Sequence, residues 1–300
     1  MDNTLASISA IVVNCNAGRL LQGSIDSLLN CPLAIEIIVV DNASTDGSLE
    51  TLPSVPSVQI IRNPANAGFA AACNIGARAA SAKFLLFLNP DCYFKPGAMA
   101  ELLNTMDLDD RAGMVGGLLV NPDGTEQGGG RRAVPTPWRS LVRALGLGRF
   151  ANRWPKLFFD FHLHKQPLPV QPIEVEAISG ACMMVRREAM TNVGDWDEGY
   201  FLHCEDLDWC MRFRQNDWKV MFVPSAVVVH EHGGCSKARP IFVEWHKHKG
   251  MLRFYRKFFL HQYPGGLMWL VAAGVWLRFC LVAGYHTFKR AGCALGLKRG

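Results

Sequence analysis

Three hundred residues, 49% of them hydrophobic, supply a substantial core for one large domain or two modest ones. The net charge of +5 is uneven: eight Lys or Arg stand against Asp160 alone between Arg131 and Lys165, and seven against Glu244 alone between Lys237 and Lys257. Such blocks suit anionic lipid or phosphorylated substrates, with a solvated loop as the plainer alternative. Ten scattered cysteines, none in a Cys-x-x-Cys pair, exclude a zinc pattern and a small disulfide scaffold.

The first third alternates. SISAIVVN reads as a buried strand, and AGRLLQGSIDSLLN has helical spacing of Leu20, Leu21, Ile25, Leu28 and Leu29. IEIIVVD and VQIIRN read as strands, AGFAAACNIGARAASA as a helix, and KFLLFLNPD as a fourth strand ending in an acid. Alternation of this kind predicts a doubly wound, mostly parallel sheet, and continuous apolar runs are expected where both faces are covered. From Asn121 to Pro172 the pattern breaks into Gly, Pro, Arg and aromatics, a long loop of the sort that is usually functional or disordered. VEAISGACMMVRREAM reads as strand then helix, CEDLDWCMRFRQNDW as a helix, and KVMFVPSAVVVHEH as a strand. The N-terminal MDNTLASISAIVV lacks a basic region, so no signal peptide is read and a reducing cytoplasm is expected.

The tail is apolar from Leu267 to Tyr285 except for Arg278. Nineteen helical residues span about 28 Å, close to a hydrocarbon core of about 30 Å, while Arg278 would cost about 2.5–3.5 kcal/mol near its centre. Two readings stand: a helix on or in the membrane surface, anchored by Trp269, Trp276 and the preceding KHKGMLRFYRKFF, or a helix buried against the rest of the chain.

Chemistry concentrates at four places. Asp41 ends one strand, Asp91 another, Glu205, Asp206 and Asp208 cluster at a helix start, and VVVHEHGG puts two histidines at a strand end. Singly each has a plain explanation: Asp41 and Asp91 as turn residues, Asp208 as the partner of Arg212 one helical turn on, the histidines as surface groups. Together, carboxylates at strand tips with an imidazole suit a divalent cation that holds phosphate oxygens, with a separate carboxylate left to act as a base. RNPANAGFAAACNIGA offers amides and close backbone approach beside a helix start, which suits a nucleotide. Neither G-x-G-x-x-G nor G-x-x-x-x-G-K-[ST] is present, which disfavours a dehydrogenase or a P-loop NTPase.

In order, VVNCNAG, VVDNASTDGS, NPANAGFAAACNIG, LFLNPDC, ISGACMMVRRE, FLHCEDLDWCMR and VVVHEHGGCS resemble the inverting family 2 glycosyltransferases with the A-type glycosyltransferase fold, in particular their bacterial rhamnosyltransferase-like branch. The resemblance runs from Ser7 to Phe259 and implies a Rossmann-like α/β fold with a helical, membrane-associating tail. It implies that Asp41 reads the nucleotide base and that Asn66, Gly68 and Asn74 line the nucleotide, with Asn14, Asn42, Arg62, Asn89 and Gly180 also on the nucleotide sugar. Asp91 matches the last acid of an Asp-x-Asp metal motif, whose first acid is here Asn89. Mg2+ or Mn2+ is the implied cofactor, held by Asp91 with His230, or less favoured His232. Asp206 matches the catalytic base, with Glu205 orienting it or the acceptor.

The implied organisation is a catalytic domain over residues 1–236, with 121–172 as a basic loop facing acceptor and membrane, and a basic, aromatic and apolar tail over 237–300. The implied reaction moves a sugar, L-rhamnose from dTDP-L-rhamnose in this branch, to a lipid-diphosphate-linked or polysaccharide acceptor at the inner face of the cell membrane. No nucleic-acid partner is expected, and a homodimer stays open. Rival readings are a transferase for another UDP- or dTDP-sugar, a nucleotidyltransferase, and a non-catalytic assembly subunit. The second would want a Gly-rich, basic loop after the first strand, which NCNAGRLLQ does not offer.

Overall fold

A computed structural model describes residues 7–294 apart from 152, 160, 232–238 and 264, with side chains described to residue 289. The expected alternation is present: β1 (Ile8–Asn14), α1 (Arg19–Leu29), β2 (Ile35–Asp41), β3 (Val58–Arg62), α2 (Phe69–Ala79) and β4 (Phe84–Leu88). Residues 89–91 turn the chain into β5 (Cys92–Phe94), so the fourth strand stops short of Asp91 and the acid sits in the turn. α3 (Ala98–Leu108) and β6 (Ala112–Val120) follow, a helix and a central strand beyond the elements read from the sequence. AGMVGGLLV is interrupted by glycines, yet all nine residues of β6 are buried.

Residues 121–172 are not a bare loop. They hold β7 (Arg131–Arg132) and α4 (Pro137–Ala144). Thr136 caps α4 by accepting from Arg139 N at 3.1 Å, and Pro137 opens its first turn, where a missing N–H costs nothing. Then come β8 (Ile173–Glu174), β9 (Ala177–Ile178), β10 (Cys182–Arg186), α5 (Arg187–Val193), α6 (Glu205–Gln215), β11 (Lys219–His230), α7 (Pro240–Phe259) and α8 (Gly265–Ala294).

The main sheet has nine strands in the order β3-β2-β1-β4-β10-β6-β11-β5, with β8 beside β11. β1, β2, β3, β4, β6 and β11 run one way; β5, β8 and β10 run against them. Helices cover both faces. One core layer gathers Leu21, Ile25, Leu102 and Met106 from α1 and α3. The other gathers Ala70, Cys73, Trp209 and Phe213 from α2 and α6, with Trp196 stacked 4.2 Å from Trp209.

α7 belongs to this body. Arg253 and Lys257 both reach Asp197, at 2.8 Å, and Lys257 reaches Asp208 at 2.7 Å. Burial alone would raise the Asp197 carboxyl, but hydrogen bonds from Lys257 and Arg253 outweigh it and hold it well below the usual range. Gly250 lets the helix in: a Cβ there would lie 2.7 Å from the His203 carbonyl. α8 is different. It leans on α7 through Trp276 and Phe279 against Trp245, at 5.0 and 5.5 Å, and seats Met268. Only 6% of its apolar stretch is buried, so it is not the buried helix of the second tail reading. Trp269, Leu270, Leu277 and Leu281 are exposed. It is the one described helix long and apolar enough to cross a membrane.

Candidate active site

The parallel strands all end at one edge of the sheet, and that edge collects most of the expected residues. The β1/β2 register places Asn14 beside Asp41, and the β2/β3 register places Asp41 beside Arg62. Asp41 is 3% exposed, so its carboxylate must be hydrogen-bonded. Asn14 Nδ2 donates to Oδ1 at 2.8 Å and Ser44 N to Oδ2 at 3.0 Å. Asn14 also donates to Ser48 Oγ at 2.8 Å and accepts from Ala17 N at 3.3 Å. It therefore positions Asp41 from behind and has little left for a ligand.

Asn42 is held likewise, donating to the Gly68 carbonyl at 3.2 Å and accepting from Asn63 at 2.7 Å. Gly68 has φ of 89°, and a Cβ would meet the Phe201 carbonyl at 2.8 Å, so no side chain fits. Asn66 accepts from Gly68 N at 2.9 Å and is exposed at the rim, as is Arg62. Asn74 does not join this group. Its amide is 2% exposed and committed to the 196–198 segment, donating to the Trp196 carbonyl and Glu198 at 2.9 Å and accepting from Trp196 N at 3.0 Å.

Two strands along, Asp91 and His230 meet across the β5/β11 ladder. His230 Nε2 lies 3.2 Å from Asp91 Oδ1, and Glu231 N donates to the Asp91 carbonyl at 2.9 Å. Oδ1 is buried and accepts no well-aligned hydrogen bond. Gln127 sets the tautomer. Its Nε2 donates to the His230 carbonyl at 2.7 Å and Asn121 Oδ1 at 2.9 Å, so its Oε1 is the atom facing His230 Nδ1 at 2.9 Å. Nδ1 then carries a hydrogen, and Nε2 is the ring atom turned to the carboxylate oxygen. An imidazole nitrogen and a carboxylate oxygen set side by side in this way fit a divalent metal. Cys92 Sγ lies within 4.8 Å of both, but burial and the nearby Asp91 push its thiol well up, which suits a protonated core residue. His232 lies outside the described residues.

The third group is at the start of α6. His203 and Cys204 have φ of 67° and 72°, a left-handed pair of non-glycine residues directly ahead of Glu205 and Asp206. Strain of this kind persists only where surrounding packing imposes it. Asp206 Oδ2 takes an ion pair from Arg132 Nη2 and a hydrogen bond from Gly180 N at 3.1 Å, while Leu207 N donates to Oδ1 at 2.8 Å. Gly180 begins the turn into β10, and the next residue's carbonyl accepts from Asn89 N at 2.9 Å. Residues 180 and 181 thus join the Asp91 turn to the start of α6. Glu205 is 7% exposed with Oε2 unpartnered. Burial, with the neighbouring Asp206 charge adding to it, pushes its carboxyl up to about 8. Asp208 points away into the core, to Arg212 at 2.7 Å, Tyr200 Oη at 3.1 Å and Lys257 at 2.7 Å. The plain reading of Asp208 holds for it.

Nothing local in the sequence singles out Arg132 or Gln127. Arg132 stands in the sequence as one member of a basic block. A lone glutamine in a Gly-rich stretch carries no signal in the sequence.

Comparison with known proteins gives the family. The model of Glycosyl transferase family 2 matches residues 9–194, and that of Glycosyl transferase family group 2 matches residues 131–290. An N-acetylglucosaminyl-diphospho-decaprenol L-rhamnosyltransferase of Mycobacterium tuberculosis is 30% identical over 236 residues, 74% of this chain and 75% of that protein. Among solved structures, the mannosyltransferase PcManGT from Pyrobaculum calidifontis, with GDP-Man and Mn2+, aligns with TM-score 0.58 at 14% identity over 99% of this chain and 82% of that one. GalNAc-T7 with UDP, GalNAc and Mn2+ aligns with TM-score 0.57 at 19% identity over 76% of this chain, which spans 44% of that enzyme's length. At these identities the two structures speak for the fold alone.

Proposed function

The chain belongs to glycosyl transferase family 2, and on that premise we propose that it moves L-rhamnose from dTDP-L-rhamnose to an acceptor linked to a lipid diphosphate or a polysaccharide. The sugar and the lipid-diphosphate acceptor follow the Mycobacterium tuberculosis relative, whose name specifies rhamnose and a diphospho-decaprenol acceptor, and the dTDP carrier follows the family resemblance. The observation that carries the reading is structural. The 180–181 turn bonds on one side to the Asp91 turn and on the other to Asp206, so the Asp91–His230 pair and the Asp206 carboxylate stand on either side of one short turn.

In this account Asp41, braced by Asn14 and Ser44, reads the base, with Asn42, Arg62, Asn66 and Gly68 shaping the nucleotide's rim. Asp91 Oδ1 and His230 Nε2 would hold Mg2+ or Mn2+, which supplies neutralising charge to a departing diphosphate. Asp206 takes the proton from an acceptor hydroxyl, that oxygen bonds to the anomeric carbon, and the bond to the diphosphate oxygen breaks on the opposite face. Configuration inverts and no sugar–enzyme bond forms. Glu205, kept neutral by burial, adds no second charge beside Asp206. We read residues 1–236 with α7 as the catalytic body, 121–172 as its acceptor-facing wall, and the exposed stripe of α8 as the membrane contact at the cytoplasmic side.

A binding and hydrolysis screen over dTDP-, UDP- and GDP-sugars with Mg2+ or Mn2+ tests the assignment. It expects dTDP-L-rhamnose to bind and release dTDP faster than the others. Preference for another sugar would refute the donor, and no binding of any would refute the site.

A further inference from the structure

We propose that Arg132 is a binding residue for a phosphate group on the acceptor, and that its ion pair with Asp206 is a resting contact which that phosphate replaces. The proposal rests on Asp206 being the base.

Arg131 and Arg132 are adjacent but differently employed. Arg131 is 2% exposed and locked, with Nε and Nη2 on the two Glu126 oxygens at 2.8 and 3.2 Å and Nη2 on the Gln166 carbonyl at 2.9 Å. Arg132 carries the ion pair to Asp206, while its buried Nε has no hydrogen-bond partner. A guanidinium offers five N–H donors in a planar fork, so this one is under-used. The β7/β9 register, Arg132 beside Ala177, delivers it from the 121–172 segment to the carboxylate that Gly180 also binds.

Oδ2 of Asp206 already accepts from Arg132 Nη2 and Gly180 N, so an acceptor hydroxyl that comes to it meets an oxygen whose lone pairs are taken. A base at Asp206 therefore needs the pair to loosen when the acceptor arrives. What loosens it must give the guanidinium another anion, and phosphate oxygens match the fork. The molecule that Asp206 must touch is the acceptor. A donor diphosphate would lie instead by Asp91 and His230, on the other side of the 180–181 turn. The exchange moves the cation from carboxylate to phosphate; no bond forms or breaks and no proton moves. An acceptor that carries phosphate then both binds and releases the base, whereas a neutral one must do without.

Calorimetry on the full chain tests this with three probes: dTDP, N-acetylglucosamine joined through a diphosphate to a decyl chain, and the decyl glycoside without phosphate. The wild type should prefer the diphosphate probe over the neutral one by about 10–100-fold, the range of a charge-assisted bond. Arg132→Gln should abolish that preference and Arg132→Lys should retain part of it, both with dTDP affinity within about twofold of wild type. An unchanged preference in Arg132→Gln would overturn the proposal. So would loss of dTDP affinity, which assigns the guanidinium to the donor. If Arg132→Gln fails to fold, Arg132→Lys decides alone: a preference equal to wild type refutes the role. Wild type that binds neither dTDP nor any nucleotide fails at the site reading instead.

Discussion

Nε2 of His230 stands 3.2 Å from Oδ1 of Asp91, and Gln127 holds the ring from its Nδ1 side. This arrangement predicts a divalent-metal requirement. Asp91→Ala and chelation by EDTA should each abolish transfer while the fold, followed by circular dichroism, persists. Gln127→Ala touches no metal but frees the ring, and should weaken Mn2+ binding by about 10–100-fold, as loss of an outer partner does. Full activity in EDTA would end the metal role.

Asp206 and Asp208 lie two residues apart on α6 yet should fail in different ways. Asp206→Asn keeps shape and loses basicity, so dTDP binding should survive while turnover falls about 10²–10⁴-fold. Asp208→Asn should instead act on stability, because the buried carboxylate ties α6 to Arg212 and to Lys257 of α7. Breaking one side of a buried pair costs about 3–5 kcal/mol, with the low end expected here since Lys257 is 34% exposed. Thermal melts and turnover on both variants separate the two roles; a stable, inactive Asp208→Asn beside an active Asp206→Asn would exchange them.

Glu205 gives a pH signature. Its carboxyl is raised from 4.5 to about 8, so between those values the folded state holds a proton that the unfolded chain has lost. Stability contributed by this group is whole below about 4.5 and declines as pH rises toward about 8. Glutamine mimics the protonated form. Glu205→Gln should therefore melt higher than wild type, with the gap widening from pH 5 to pH 8. A gap independent of pH would show that Glu205 is ionised in the folded protein.

α8 leans on α7 by one stripe and leaves Trp269, Leu270, Leu277 and Leu281 exposed. A chain ending at Tyr263 should stay folded and bind dTDP, because among the described residues the core layers draw on α8 only through Met268, Val271 and Val275. Full-length protein should float with anionic liposomes and the truncated form should not. Failure of the full-length protein to float would remove the membrane contact from the account.

Much of this was legible in the residues. The run from β1 to β4 announces itself, because buried parallel strands are continuous apolar stretches ended by polar turns. The reversed direction of β10 was not legible, since CMMVR looks alike whichever way it pairs. α3 was legible too, since Met99, Leu102, Leu103 and Met106 keep the i, i+3, i+4, i+7 spacing of a helix, whereas the glycines of AGMVGGLLV break the apolar run of β6. Strand-end acids marked Asp41 and Asp91, whereas the inward turn of Asn74 and the Arg132–Asp206 pair depend on segments far apart in the chain. No local pattern carries such contacts.

The central claim, direct displacement on dTDP-L-rhamnose with Asp206 as base, is tested by the product's anomeric configuration. Full-length protein, Mn2+, dTDP-L-rhamnose and the decyl-diphospho-N-acetylglucosamine probe should give a rhamnoside whose configuration, read by NMR, is opposite to the donor's, and Asp206→Asn should give almost none. A product with the donor's configuration, or equal yield from Asp206→Asn, would contradict it.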